Sequence, residues 1–193
     1  MSVVVGLTGN IACGKSTVGE ILKKYNIKVL DSDEVVHKIY GEDKDVQAAL
    51  LKEFGSLDRK EIGAQVFGKE NKEKRQILEG IIHPKVDTVF RDWVLENQEE
   101  KILVNLVPLL FEAKLESRYD FIAVVKTSPK LQLERLLQRN TNMTIAEAQK
   151  RIDSQMPMSQ KIEKADFVLD NSINLDDLEI QVEEMLEKLG KSS

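Results

Sequence analysis

The chain has one cysteine, Cys13, in 193 residues. An internal disulfide is therefore impossible and a cysteine-rich zinc site is excluded, and the cytosol is the expected compartment. Long hydrophobic runs are missing too. Nothing approaches the roughly 20 apolar residues that span a bilayer. The opening Val3-Val4-Val5 is too short for a signal peptide and lacks a basic flank. No membrane partner is expected. Aromatic residues make up only 5% of the chain, so aliphatic side chains must fill the core. Positive charge is not in excess: 28 Lys and Arg stand against 33 Asp and Glu, a net charge of −5. A general nucleic-acid binder is more often basic, so no nucleic-acid partner is expected and any phosphate binding must be local. The four prolines, Pro84, Pro108, Pro129 and Pro157, are each expected to mark an element boundary.

Five short apolar runs, Val3 to Leu7, Ile27 to Leu30, Ile102 to Val107, Phe121 to Val125 and Phe167 to Leu169, are rich in Val, Ile and Leu and do not alternate with polar residues. Strands read this way when both faces are covered. Helical patterns lie between them. Ser16 to Lys24 carries Val18, Ile21 and Leu22 on one side, and Ser128-Pro129 supplies a cap and a first-turn proline. The last helix spaces Leu175, Leu178, Val182, Met185, Leu186 and Leu189 by three and four, with Gly190 expected to end it. The alternation predicts an α/β fold with a parallel five-stranded sheet between helical layers. Two stretches break the rhythm. From about Val35 to Asn97 the chain reads as helix after helix, an insertion. From about Lys126 to Lys164 it is helical and rich in Arg, Lys and Gln, and suits a mobile cover.

The strongest motif is Gly9-Asn10-Ile11-Ala12-Cys13-Gly14-Lys15-Ser16, followed by Thr17. It fits the phosphate-loop pattern, with a buried strand before it and an amphipathic helix after it. In such a loop backbone N–H groups wrap phosphates, and the helix N-terminus adds partial positive charge. Lys15 is expected to reach the β- and γ-phosphates of ATP, and the Ser16 hydroxyl to hold Mg²⁺. The plainer alternative, a chance match in a glycine-containing turn, fits this context less well. Cys13 reads as a small spacer residue with no base to activate it.

The second run ends in Leu30-Asp31-Ser32-Asp33. Ligands of open parallel sheets sit beyond the carboxyl ends of the strands. If this strand neighbours the first, Asp31 and Asp33 face the phosphate loop, and Asp33 is the candidate general base. Either aspartate alternatively serves as a helix cap or a solvated charge. His83, before Pro84, is expected to be extended at a helix start. Arg135 and Arg139 are four apart on one helix face and suit phosphate through their planar, permanently charged heads. His37, Trp93 and acidic runs such as Glu42-Asp43-Lys44-Asp45 read as ordinary helix surface and packing.

Taken together these residues resemble the dephospho-coenzyme A kinase family. The resemblance rests on Gly6-Leu7-Thr8-Gly9 through Thr17, Asp31-Ser32-Asp33, His83-Pro84, and Val107-Pro108-Leu109-Leu110-Phe111-Glu112. Arg135, Arg139, Arg151-Ile152 with Gln155, Lys161 with Ala165-Asp166, and Asn171 follow in the family's order. It covers nearly the whole chain. It implies a P-loop kinase-type three-layer core (residues 1–34, 101–125 and 165–193), a helical coenzyme A-binding insertion (35–100) and a lid (126–164). It also implies ATP-dependent phosphorylation of the ribose 3′-hydroxyl of dephospho-coenzyme A. Carried over, Asp33, Lys15 and Arg139 are catalytic. Residues 10–17, Arg139 and Asn171 bind ATP; Asp31, Asp33, His83 and Pro108 bind the acceptor; Ser16 holds Mg²⁺. A monomer or weak homo-oligomer is expected.

The family's loop usually has Gly, Gly and Ser where Asn10, Ala12 and Cys13 stand. Asn10 is expected to accept left-handed backbone, and Ala12 to require a negative φ. Asn105, Leu106 and Val107 leave no metal-binding acid before Pro108. Another small-molecule kinase, acting on nucleosides, nucleotides or shikimate-type acceptors, is the runner-up. A nucleotide-dependent switch or ATPase module acting on a protein is the third alternative; a switch is disfavoured, because Asn71-Lys72-Glu73-Lys74 lacks the aspartate of a guanine-binding element.

Overall fold

Strand β1 (Val3–Gly9) is the middle strand of a five-stranded parallel sheet in the computed structural model, which describes residues 2–66 and 71–191. Residues 67–70, within the stretch expected to be helical, and residues 1, 192 and 193 lie outside the described residues. The other strands are β2 (Lys28–Asp31), β3 (Ile102–Leu106), β4 (Phe121–Lys126) and β5 (Phe167–Asp170), in the order β2-β3-β1-β4-β5. The second strand therefore does not neighbour the first. β3 lies between them, with Val5 in register with Val104 and Leu30 with Asn105. β3 takes that place because its five residues are all buried, whereas β2 is half-exposed and suits an edge.

Successive residues of β4 explain the unbroken apolar runs. Ala123 and Val125 pack with helices α1 (Lys15–Lys24) and α9 (Leu175–Lys191) through Val18, Ile21, Leu178 and Met185. Ile122 and Val124 face the other way, against Leu110 and Phe111 of the segment after β3 and Ile162 of helix α8 (Met158–Glu163). Both faces of the sheet are covered, so alternation is lost and three layers result. Gly6 keeps the second layer close, since a Cβ there would lie 2.7 Å from both Leu110 Cδ1 and Tyr119 Cδ2.

The chain divides into two compact units: Met1–Asp31 with Asn97–Ser193, and Ser32–Glu96. The first holds the sheet, α1, α8, α9, and helices α6 (Pro129–Arg139) and α7 (Ile145–Asp153). In the second, α2 (Ser32–Glu42), α3 (Lys44–Phe54), α4 (Arg59–Val66) and α5 (Lys72–Glu96) bury Val35, Ile39, Val46, Leu50, Phe54, Ile62 and Ile82.

Three local expectations fail here. Pro84 is inside α5 rather than at its edge, and His83 is therefore helical, not extended. A proline within a helix removes one bond to the carbonyl four residues earlier. That carbonyl belongs to Gly80, an exposed residue that water can reach. Gly190 continues α9 with an ordinary φ, the positive-φ glycines among the described residues being Gly14 and Gly55. Asp43 is more than solvated surface: it caps α3 by accepting from the N–H groups of Asp45 and Val46, and it pairs with Lys85 at 2.9 Å. Pro108, Pro129 and Pro157 do lie at element boundaries.

Candidate active site

The phosphate-loop motif turns from β1 into α1 at the centre of the sheet. At the end of β1, a Cβ on Gly9 would lie 2.5 Å from the Val125 carbonyl. Gly14, with φ 96°, is the N-cap of α1 and provides no side-chain cap. That differs from α3, α6 and α7, capped by Asp43, Ser128 and Thr144. The first turn of α1 holds no acid and begins with Lys15, half-buried, and Ser16, exposed. With no side-chain cap there, the positive helix end suits an anion.

The loop's backbone departs from expectation at two residues. Ala12 adopts φ 61°, the left-handed region, where negative φ was expected. That conformation costs a non-glycine residue about 1–2 kcal/mol. The Ala12 methyl offsets it by packing at 5% exposure with Leu136 of α6 and Ala148 of α7. Asn10, expected to be left-handed, is not among the positive-φ residues. Its side chain is buried instead and donates to the Met156 carbonyl at 3.2 Å. Ile11 is held on both sides: its N–H donates to Gln155 Oε1 at 2.7 Å, and its carbonyl accepts from Gln132 Nε2 at 2.9 Å. Cys13 is buried, which pushes its thiol up to about 11, so it stays protonated and inert at neutral pH.

An open cleft of about 250 Å³ adjoins the loop, lined by Gly14, Thr17, Arg135, Arg139, Asn171, Ile173, Asn174 and Leu175. Thr127 receives a 3.4 Å contact from Arg135 and donates to the Asn171 carbonyl. Arg139 ends the same helix and is exposed. Asn171 follows β5 and donates from Nδ2 to the Cys13 carbonyl at 3.0 Å. A Cβ on Gly14 would stand 2.0 Å from that nitrogen, so the glycine is needed for this contact. Asn171→Ala is expected to leave a buried carbonyl without a partner and to destabilise the protein by about 1–3 kcal/mol. An unchanged thermal midpoint would argue against that brace.

The cleft thus brings Gly14, Thr17, Arg139 and Asn171 together, whereas Ile11 and Ala12 pack against α6 and α7, Asn10 bonds to Met156, and Cys13 is buried with its carbonyl on Asn171. Pro108 lies outside the cleft, its carbonyl accepting from Thr8 Oγ1 at 3.4 Å. Asp31 ends the edge strand, opposite Leu106. Asp33 is exposed in the first turn of α2, and His83 is exposed in α5; the second unit carries both. Sequence reading missed Ile173 and Leu175, exposed by 75% and 48%, and Gln132. Exposed apolar residues beside a cap sequence carry no motif, and only the cleft gives them meaning.

Among the described residues no group of three or more His, Cys, Asp or Glu side chains is placed to hold a metal. Beside the loop the start of α1 offers hydroxyls, Ser16 and Thr17, and no carboxylate cluster. This suits a cation that arrives on phosphate oxygens and keeps its waters, as Mg²⁺ does, and not one that needs a protein cage.

The profile of a family described as dephospho-CoA kinase matches residues 3–177. A Listeria innocua protein named dephospho-CoA kinase is 38% identical over 202 residues, covering 97% of this chain and 98% of its own length. One of the same name from Fusobacterium nucleatum is 40% identical over 195 residues, covering 96% and 98%. The solved structure of the dephospho-CoA kinase from Campylobacter jejuni superimposes with a TM-score of 0.72 at 29% identity, covering 100% of this chain and 99% of that one.

Proposed function

We propose, from the fact that this chain belongs to the dephospho-CoA kinase family, a division of labour among its residues. The reaction moves the γ-phosphoryl of ATP to the ribose 3′-hydroxyl of dephospho-coenzyme A, giving coenzyme A and ADP. The observation that carries the assignment of roles is the uncapped N-terminus of α1 opening beside a cleft that two arginines line.

In this reading residues 10–17 cradle the phosphates, and Lys15 balances charge on the β- and γ-oxygens. Ile173 and Leu175 offer the cleft's apolar surface to the adenine, beside Asn171. The Ser16 hydroxyl would hold Mg²⁺, which when bound neutralises charge on the phosphates. Residues 35–100 hold the acceptor, with His83, Asp31 and Pro108 as contacts. Asp33 takes the proton of the 3′-hydroxyl as its oxygen forms the new P–O bond. The β,γ-bridging P–O bond breaks, and its electron pair leaves with ADP. No helix among the described residues is long and apolar enough to cross a membrane, and the cytosol is the compartment this reading implies.

Residues 126–164 act as the lid, and water must be kept from a bound γ-phosphoryl for transfer to be efficient. Arg139 is the lid's hand on the phosphates. Arg139→Ala is expected to lower kcat roughly tenfold, and Arg139→Lys to recover only part of it, because lysine lacks the planar fork. Unchanged kcat and ATP affinity in Arg139→Ala would remove the lid from the mechanism. The assignment as a whole is tested by coupled detection of ADP with ATP, Mg²⁺ and dephospho-coenzyme A. The controls replace the acceptor with shikimate, a nucleoside or a nucleoside monophosphate. Turnover with one of these and none with dephospho-coenzyme A would overturn it.

A further inference from the structure

Behind the phosphate loop lies a polar node that takes no part in the phosphoryl transfer. Lys161 of α8 has no solvent exposure at all. A buried ammonium is strongly unfavourable unless it is paired. Its Nζ lies 2.9 Å from Glu112 Oε1, at ion-pair distance but outside hydrogen-bonding direction. The same oxygen accepts from the Met156 N–H at 3.0 Å. Met156 and its neighbour Gln155 form the connection between α7 and α8, and both reach the loop: the Met156 carbonyl accepts from Asn10, and Gln155 Oε1 accepts from the Ile11 N–H. Asn10 Oδ1 and Glu112 Oε2 are also buried without a hydrogen-bond partner among the described residues. Such a site tolerates little change in charge or shape.

We propose that Glu112 is a positioning residue for the phosphate loop, with Lys161 as its counter-charge: through the Met156 N–H it fixes the Gln155–Met156 connection, which in turn fixes loop residues 10 and 11. The loop requires such an external brace. Ala12 holds a left-handed conformation that relaxes if its neighbours move, and the N–H of Ile11 finds its acceptor more than 140 residues away in the chain. Burial opposes ionisation of Glu112, but the Lys161 contact and the Met156 N–H outweigh it and hold the carboxyl below its ordinary range. The inference rests on the reading of residues 10–17 as the cradle for ATP phosphates.

Two double variants separate positioning from mere stability. Glu112→Leu with Lys161→Met removes both charges and the acceptor for Met156. Glu112→Gln with Lys161→Met removes both charges but keeps that acceptor. An apolar replacement of a buried ion pair is often neutral for stability, so similar thermal midpoints are expected. The first variant is expected to bind ADP about tenfold more weakly and to turn over about tenfold more slowly, because small misplacements of reacting groups cost up to about 10²-fold. Its KM for dephospho-coenzyme A should stay within about twofold, since that contact is carried elsewhere. The second variant should recover most of both losses. Equal ADP affinity and kcat in the two would overturn the proposal. If the first variant fails to fold, Gln155→Leu decides: it strands no charge and breaks the same brace at Ile11, so ADP binding as in the unaltered protein overturns the proposal. ADP calorimetry on the unaltered protein is read first. Absence of binding there defeats the nucleotide reading itself, whereas binding that the variants do not weaken defeats the brace alone.

Discussion

Replacing Lys15 with alanine is expected to leave a folded protein that turns over about 10³-fold more slowly. The residue opens α1 at the uncapped helix end, where it adds a full charge to the helix's partial one. As the γ-phosphoryl transfers, charge shifts towards the bridging and terminal oxygens, and a fixed ammonium there is worth more in the transition state than in the ground state. A thousandfold loss corresponds to about 4 kcal/mol, which is the scale of one preorganised charge in a site closed to water. Stability should change little. α1 is held by Val18, Ile21 and Leu22, each at most 1% exposed, and Lys15 is not part of that face. The comparison to make is kcat/KM for ATP beside the thermal midpoint. A variant that turns over as the unaltered protein does would show that the lysine is not aimed at the transferring group. A variant that has merely unfolded would show the same loss of rate with a collapsed midpoint, which is why both are measured.

Much of this was legible because it is local. Ser128 accepts from the Leu131 N–H at 3.3 Å with Pro129 behind it, as four consecutive residues announce. The apolar runs became the five strands to within two residues at each end, since burial on both faces is written into composition. What failed was decided by partners far off in the chain. Ala12 is tolerable at φ 61° because Leu136 and Ala148 receive its methyl, and no reading of residues 9–16 contains them. Asn10 serves Met156, 146 residues away. The order that inserts β3 between β2 and β1 depends on which strands can bear an exposed edge. Pro84 shows a local rule outweighed: one lost bond to an exposed carbonyl is small against a 25-residue helix that buries Ile82 two residues before it. The cleft residues divide in the same way. Gly14, Thr17 and Arg139 have motif or charge signatures, whereas Ile173 and Leu175 become meaningful only as exposed apolar residues facing the same cleft.

Asp33→Asn is expected to reduce kcat by roughly 10²-fold or more while changing KM for dephospho-coenzyme A far less. A ribose hydroxyl is a poor nucleophile until its proton has an acceptor. Asparagine keeps the size and one carbonyl oxygen of the side chain but cannot take that proton as a carboxylate does. Asp33 is exposed and only two residues, about 7 Å of chain, beyond the last residue of β2. Its place in the first turn of α2 beside Glu34 gives it a helix-end role as well. The helix-end contribution of that charge is about 0.3–1 kcal/mol, and a thermal midpoint measured beside kcat separates a loss of rate from unfolding. The control is Asp31→Asn. Asp31 belongs to the strand itself, opposite Leu106, and shares the acidic character of the segment without the helical position. If Asp31→Asn is the inactive enzyme and Asp33→Asn remains active, the base is the strand residue and the roles are exchanged. If both retain kcat, proton removal by a side chain contributes nothing at this step. Transfer then depends on alignment and on the charges of Lys15 and Arg139, a result that phosphoryl transfer with a loose transition state permits.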